Sequence, residues 1–293
     1  MSKPAHPTLA QIVAILDSLY PPGLAEAWDA VGLVVGDPSA QVKRVALAVD
    51  PVRSAIEEAI AWQADLLVVH HPLLLRPVHS VAATTFKGAI IHRLIQAGCA
   101  LYTAHTNADS AQGGVADGLS NAIGLEDLHP LVPAPQGQPG EGLGRVGLIS
   151  PTMPLAQFAQ RVASALPPTR HGVRVAGDLE GDVGRVAVVA GAGDSLFDAV
   201  RSADVDCYVT ADLRHHPASE ARERAEFDGG GRPYLVDVSH SASEWPWLAG
   251  AAVRLEQAVS DLGARVVTTV SRVVADPWDA RFGDTPPDRG GET

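Results

Sequence analysis

The chain has 293 residues, enough for about two domains at the usual ~150 residues each. With 34 acidic residues against 22 basic ones the net charge is −12, and no Lys/Arg run forms a local basic patch, so neither nucleic acid nor an anionic membrane surface is expected as a partner. Two cysteines, the absence of an apolar signal core in MSKPAHPTLAQ and the lack of any apolar stretch near the ~18 residues of a membrane span exclude a disulfide framework and a spanning helix, so the expected location is the cytoplasm.

Thr8 reads as the N-cap of a first helix, in which Leu9, Ile12, Val13, Ile15 and Leu16 share a face until Pro21 and Pro22 end it. A loop from Trp28 (WDAVGLVVG) then enters a strand. Its glycines lack the spacing of a dinucleotide fingerprint, and no phosphate-cradling loop occurs elsewhere.

A strand–helix–strand unit follows. Arg44 to Asp50 (RVALAVD) is a strand, Ser54 to Ala61 a helix capped by Ser54, and Asp65 to Val69 a buried strand that His70, His71 and Pro72 stop abruptly. The same pattern recurs 141 residues on, without a gap: RVAVVAG from Arg185, Ser195 in the place of Ser54, and DCYVT from Asp206. One register for strand, cap, helix and strand predicts a duplicated βαβ unit with parallel strands. The copies differ at the strand's end, where the second has Ala211 and Asp212, then Leu213, Arg214, His215 and His216.

Each unit is extended by a further helix and strand. In the first, a helix from Phe86 to Gln96 stops at Gly98, and the strand Ala100 to Ala104 runs into the polar loop His105-Thr106-Asn107-Ala108-Asp109. In the second, Ser219 to Glu226 is a helix, and the strand Tyr234 to Val238 runs into Ser239-His240-Ser241-Ala242-Ser243-Glu244, with Ser243 placed to cap a helix beginning at Glu244. The Pro- and Gly-rich stretch 128–145 reads as a linker, and 167–184 as irregular. A strand and a helix lie between them, a helix continues from Trp247 to about Leu262, and Arg265 to Val270 is a last strand. The resulting division is a first α/β repeat over 1–127, the linker, a second α/β repeat over 146–275, and a disordered polar tail over 276–293.

Three strand ends thus present His70 with His71, His105 with Asp109, and His240 with Glu244. In open α/β sheets ligands bind at such ends. Imidazole nitrogens and carboxylate oxygens without thiolates suit a first-row transition metal that is not a structural zinc. His70, His71, His240, Asp109 and Glu244 make five ligands, more than the three protein ligands of one catalytic ion; two ions ~3.5–4 Å apart with a shared carboxylate would use all five and leave room for water.

These residues resemble a known family. HHP at 70–72, HTNAD at 105–109 and HSASE at 240–244, together with WDAVGL at 28–33 and TADLRHH at 210–216, are similar to the GTP cyclohydrolase type 2 homologs, also called the Ngg-one-interacting-factor-three-like proteins, over roughly residues 8–272. The resemblance implies that His70, His71, Asp109, His240 and Glu244 hold two divalent ions per chain (Zn, Fe, Mn or Ni), with Glu244 as the bridge. It also implies two intertwined, duplicated α/β repeats with mixed sheets, the dimetal site at the strand ends between them, and a homohexameric ring. The chain departs from the family pattern at Ala30, Ser239 and Ala211-Asp212 without losing a ligand. The implied chemistry is metal-dependent hydrolysis of a nucleotide-like heterocycle, with His105, His215 and His216 as candidate general acids or bases. The rival expectation is a metal-binding, metal-delivery or regulatory protein without turnover, since ligand sets for holding and for catalysis overlap.

Overall fold

A computed structural model of the chain describes residues 6–135 and 137–282. Its centre is two mixed β-sheets. The first has the order β1 (Gly32–Val35), β4 (Ala100–Thr103), β3 (Leu66–Val69), β2 (Arg44–Ala48) and β11 (Val267–Val270), all parallel except β1. The second has the order β5 (Glu126–Pro133), β6 (Gly142–Pro154), β8 (Asp182–Ala192), β9 (Cys207–Ala211), β10 (Tyr234–Val238) and β7 (Arg174–Ala176), with β8, β9 and β10 parallel.

The duplication is present in the strand registers. Val45 faces Leu66 across β2 and β3, and 141 residues on Val186 faces Cys207 across β8 and β9; the next two pairs match likewise. The copies part at the edge where the ligand candidates lie: Ala48 directly faces Val69, whereas β8 advances from Val188 to Ala192 while β9 advances only from Val209 to Ala211. That irregularity re-aims the chain at Gly191, whose φ of +69° falls in the left-handed region that favours glycine.

Helices cover both faces of each sheet. α1 (Leu9–Leu19) and α10 (Pro246–Asp261) pack on one face of the first sheet through Leu9, Ile12, Leu16, Leu248 and Leu255. On the other face lie α2 (Arg53–Ala61) and α3 (Phe86–Ala97), contributing Ile56, Ile90 and Leu94. The second sheet is covered by α5 (Val115–Ile123) and α6 (Leu155–Ala165) on one face, and by α7 (Phe197–Ser202) and α8 (His215–Asp228) on the other. Ala190 packs against the cores of both sheets, so the halves meet next to the irregular turn of β8. The intertwining is covalent too, because the chain leaves the second sheet after β10 and returns through α10 to add β11 beside β2.

Several sequence expectations need correction. Ser54 does not cap α2; Val52 holds that position without a side-chain bond, and Ser54 lies inside the helix. Ser195 sits in a 3-10 turn, Asp194–Leu196, ahead of α7. Most of the expected linker is strand: β5 and β6 pair antiparallel from Glu126 to Leu148, and only 134–141 connects them. The stretch 167–184 contains β7 and the start of β8. α8 starts earlier than Ser219, at His215. Last, Asp109 and Glu244 lie in short helices, α4 (Thr106–Ser110) and α9 (His240–Glu244), and α10 begins only at Pro246, so Ser243 caps no helix there. Its hydroxyl instead donates to the His240 carbonyl (2.6 Å) and accepts from Gly191 N–H (2.9 Å). Of the tail expected from 276, residues 276–282 carry neither helix nor strand, and the rest lies outside the described residues.

Candidate metal centre

β3 delivers His70 and His71 at its C-terminal end, β4 delivers His105 and, through α4, Asp109, and β10 delivers His240 and Glu244 on α9. Parallel strands bring these ends to common edges, and the two sheets face each other there. Glu244 is buried (2%) and sits among the imidazoles: its Oε1 lies 3.0 Å from His240 Nε2 and 3.5 Å from His70 Nε2, and its Oε2 lies 3.3 Å from His71 Nε2. Asp109 Oδ1 is 3.7 Å from His70 Nε2 at one end of the group, and His240 Nε2 is 3.2 Å from His71 Nε2 at the other. His105 belongs to the same constellation, since one ring nitrogen of each of His70, His71 and His105 lies within 4.8 Å of the other two.

Outer contacts fix which nitrogen of each ring faces inward. His70 Nδ1 meets the Ala104 carbonyl (2.9 Å), His71 Nδ1 the Asp50 carboxylate (2.7 Å), His240 Nδ1 that of Asp212 (2.7 Å) and His105 Nδ1 that of Asp29 (2.8 Å). A carbonyl or carboxylate only accepts, so each Nδ1 carries the proton and each neutral ring turns an Nε2 lone pair elsewhere. For His71 and His240 those lone pairs point at one another across 3.2 Å, beside a carboxylate. Like partial charges at that separation require a positive species between them. Nδ1 held by an acceptor and Nε2 left free is the usual arrangement of a metal-binding histidine.

The ionisation balance agrees. Burial opposes the charge on Glu244, yet His71, His70 and His240 outweigh it and hold the carboxyl well below the usual carboxylate range. Burial would likewise lower the imidazoles, but Glu244 with Asp109 raises His70, Glu244 with Asp50 raises His71 further, and Glu244 with Asp212 raises His240 to about 10. Burial pushes Asp109 up to about 6, against the pull of His70, and burial together with His70 lowers His105. Buried carboxylate charge thus draws positive charge onto the cluster, as protons or as a cation. One oxygen is left over: Glu244 Oε2 is buried and has no hydrogen-bond partner. An orphan carboxylate oxygen beside inward-facing imidazole lone pairs is a donor set that fits divalent metal ions.

The structure therefore gathers His70, His71, His105, Asp109, His240 and Glu244 into one cluster. It does not gather His215 and His216, which are exposed in the first turn of α8 with ring centroids 5.2 Å apart; no hydrogen bond or ion pair among the described residues links them to the cluster. Sequence reasoning missed the orienting residues Asp29, Asp50 and Asp212 and the Ala104 carbonyl. A signal existed for Asp50, the last residue of RVALAVD at the same sheet edge as His70. For Asp29 the signal was its place in the WDAVGL motif, which named no role for it: it comes from the loop before β1, and its carboxylate also accepts from the Thr106 amide (3.0 Å) and hydroxyl.

Fold and cluster define a class: a duplicated α/β protein whose sheet edges enclose a histidine–carboxylate group of metal-binding type. Residues 7–277 match the family described as Duf34/NIF3 (NGG1p interacting factor 3). A Streptomyces coelicolor protein named GTP cyclohydrolase 1 type 2 homolog is 48% identical, covering 96% of each chain, and a Mycobacterium tuberculosis protein of the same name is 36% identical over 92% of this chain and 96% of its own. Among solved structures, Staphylococcus aureus protein SA1388 superposes with a TM-score of 0.82 at 25% identity, covering 94% of this chain and 99% of that one. The chain belongs to the Duf34/NIF3 family.

Proposed function

We propose that the cluster holds two divalent transition-metal ions, with His70, His71, Asp109, His240 and Glu244 as ligands, and that the protein is a metal-dependent hydrolase of a nucleotide-like heterocycle. The observation that carries the reading is the orphaned Glu244 Oε2, buried among imidazoles whose Nδ1 atoms are all occupied. Glu244 spans the group, with one oxygen toward His70 and His240 and the other toward His71, which suits a bridging carboxylate. When bound, such a pair of ions supplies a water acidified toward neutrality and a Lewis acid for the substrate. Asp50, Asp212 and the Ala104 carbonyl hold the rings in the binding tautomer.

His105 is the chain's own proton carrier in this reading. Asp29 fixes its Nδ1, burial and His70 favour its neutral form, and its Nε2 is free to accept a proton beside the cluster. His215 and His216 would act only on an outer part of the substrate, being exposed beyond Asp212. The names of the curated relatives support GTP as the first compound to try. We also propose a closed homohexamer, since symmetric closure is the usual state of soluble homo-oligomers; a monomer mass by light scattering at micromolar concentration would exclude it. For the site itself, metal analysis of protein purified without chelator and resupplied with Zn, Fe, Mn and Ni in turn should give close to two ions per chain. One ion or none in folded protein overturns the dinuclear reading. Full loading without turnover of GTP or related heterocycles under each metal would leave metal holding or delivery as the function.

A further inference from the structure

A cavity of about 890 Å³ opens directly beside the cluster and shares two residues with its surroundings, His71 and the Asp50 that orients it. One part of its lining is apolar, made by Val52, Ile56, Leu73, Phe86 and Ile90. Phe86 is 72% exposed, although it stands in the first turn of α3 with no other role in the fold. The remaining lining is charged, with Arg53, Lys87 and Arg93 beside Asp50 and Glu57, an excess of one positive charge in a chain of net charge −12. Charge pairing sorts them. Arg93 is already matched by Glu57 in a two-pronged ion pair (3.1 and 2.7 Å), and Asp50 is committed to His71 at 2.7 Å. Arg53 and Lys87 have no ion-pair partner among the described residues, so two cations of the wall are free to meet an anion. Lys87 Nζ lies 5.9 Å from the centre of the Phe86 ring, which sets an ammonium and an aromatic face side by side. α2 also begins at this wall without a side-chain cap, leaving its first N–H groups available to an acceptor.

We propose that this cavity is the substrate pocket of the cluster, and that it takes a planar ring compound bearing phosphate. The ring lies against Phe86 and the aliphatic wall, the phosphate meets Arg53 and Lys87, and the His71 end of the cavity presents the ring to the cluster. A neutral sugar or base would leave both cations unmatched, and a bare phosphate would leave the apolar wall uncovered. Both features are used together only by an amphiphilic anion of this kind, and 890 Å³ is room for one of nucleotide size. This inference rests on the proposed hydrolase reading but adds the substrate's class and its orientation.

The test is calorimetric titration of metal-replete protein with three probes, GTP, guanosine and tripolyphosphate, with metal content measured on the same samples. In the Arg53→Gln/Lys87→Gln double variant GTP and tripolyphosphate should each bind roughly tenfold or more weakly, as loss of charge-assisted bonds requires, while guanosine binding stays as it was. Phe86→Ala should weaken GTP and guanosine several-fold and spare tripolyphosphate. Phosphate held by the metal ions alone would be indifferent to all three positions, so unchanged GTP affinity in both variants, or failure of GTP to bind wild type at millimolar concentration, overturns the pocket. The dinuclear reading fails separately: a chain that carries fewer than two ions yet loses GTP binding in the double variant keeps the pocket and loses the metal pair. Arg53 and Phe86 are exposed and Lys87 is half-buried, and circular dichroism confirms that each variant is folded.

Discussion

Glu244 concentrates the site's physics in one side chain. It is the only carboxylate in contact with all three of His70, His71 and His240 among the described residues, so Glu244→Ala should remove charge compensation from both of the proposed ions and take metal content toward zero. Asp109, near His70 alone, should cost about one ion when changed to Ala, and His216→Ala should cost none. Retention of both ions by Glu244→Ala, or loss of both in His216→Ala, would refute the ligand assignment. Gly191 offers a subtler probe, since a Cβ there would stand 2.7 Å from Glu244 Oε1 and 3.2 Å from His240 Nε2, on a backbone with φ of +69°. Gly191→Ala should therefore lower metal affinity without replacing any ligand candidate, at a backbone cost of about 1 kcal/mol in stability. Wild-type affinity in a competition assay with a chromogenic chelator would show that Glu244 has room to move. In the duplicated register Gly191 takes the place of Asp50, so one copy supplies an orienting carboxylate where the other supplies space.

At the scale of elements, every strand of the first sheet could be read from the sequence, its edges β1 and β11 included, but only the inner strands of the second. β3, β9 and β10 are buried along their whole length and appear as apolar runs, unbroken in β3 and interrupted only by Thr210 in β9 and Asp237 in β10. The missed strands, β5 and β7, are both sheet edges. β5 contains Pro130 and Pro133, which an edge tolerates because it needs no donors on its outer side, and β7 has only three residues. Proline density therefore imitated a linker. The Thr8 cap was legible because side-chain chemistry decides it, Thr8 and Gln11 forming a reciprocal capping box, whereas the Thr85 cap of α3, which accepts from Gly88 N–H at 3.1 Å, was missed. Ser54 and Ser243 misled because neighbouring backbone, not hydroxyl chemistry, set those helix starts. Thr8→Ala should lower stability by about 1 kcal/mol, measured by urea unfolding, since it strips one orphan amide of its acceptor. No change would mean that the Thr8–Gln41 bridge alone holds the helix start. The buried strand cysteines give a companion result. Burial pushes the Cys99 thiol up to about 12 and Cys207 higher still, so neither should react with a disulfide reagent at pH 8 until the protein unfolds.

In the whole molecule the cluster joins two sheets, because His70, His71 and Asp109 follow strands of the first and His240 and Glu244 a strand of the second. The five ligand candidates were legible since each sits in a short polar motif at a strand's end; their meeting was not, because it depends on how the two repeats face one another. Ions at that junction, as proposed, would bind only the assembled form, so loading should stabilise the fold, by about 4 kcal/mol at a thousandfold excess over Kd, or on the order of 10 °C in melting temperature. The pH dependence of this gain has a definite sign. In chelated protein the raised imidazoles stabilise the fold below the ordinary histidine value, and that contribution is lost as pH rises, in the case of His240 through about 10. The depressed Glu244 carboxyl stabilises above the ordinary carboxylate value and fails only in acid. Metal binding runs opposite to the histidine contribution, because each Nε2 must shed its proton to hold an ion. The gap in melting temperature between loaded and chelated protein should therefore widen from pH 6 to pH 9 and close below pH 5, where protons displace the ions. Scanning calorimetry with and without chelator across that range measures it directly, and a gap that is constant or narrows toward alkaline pH would mean that the imidazoles are not the ligands.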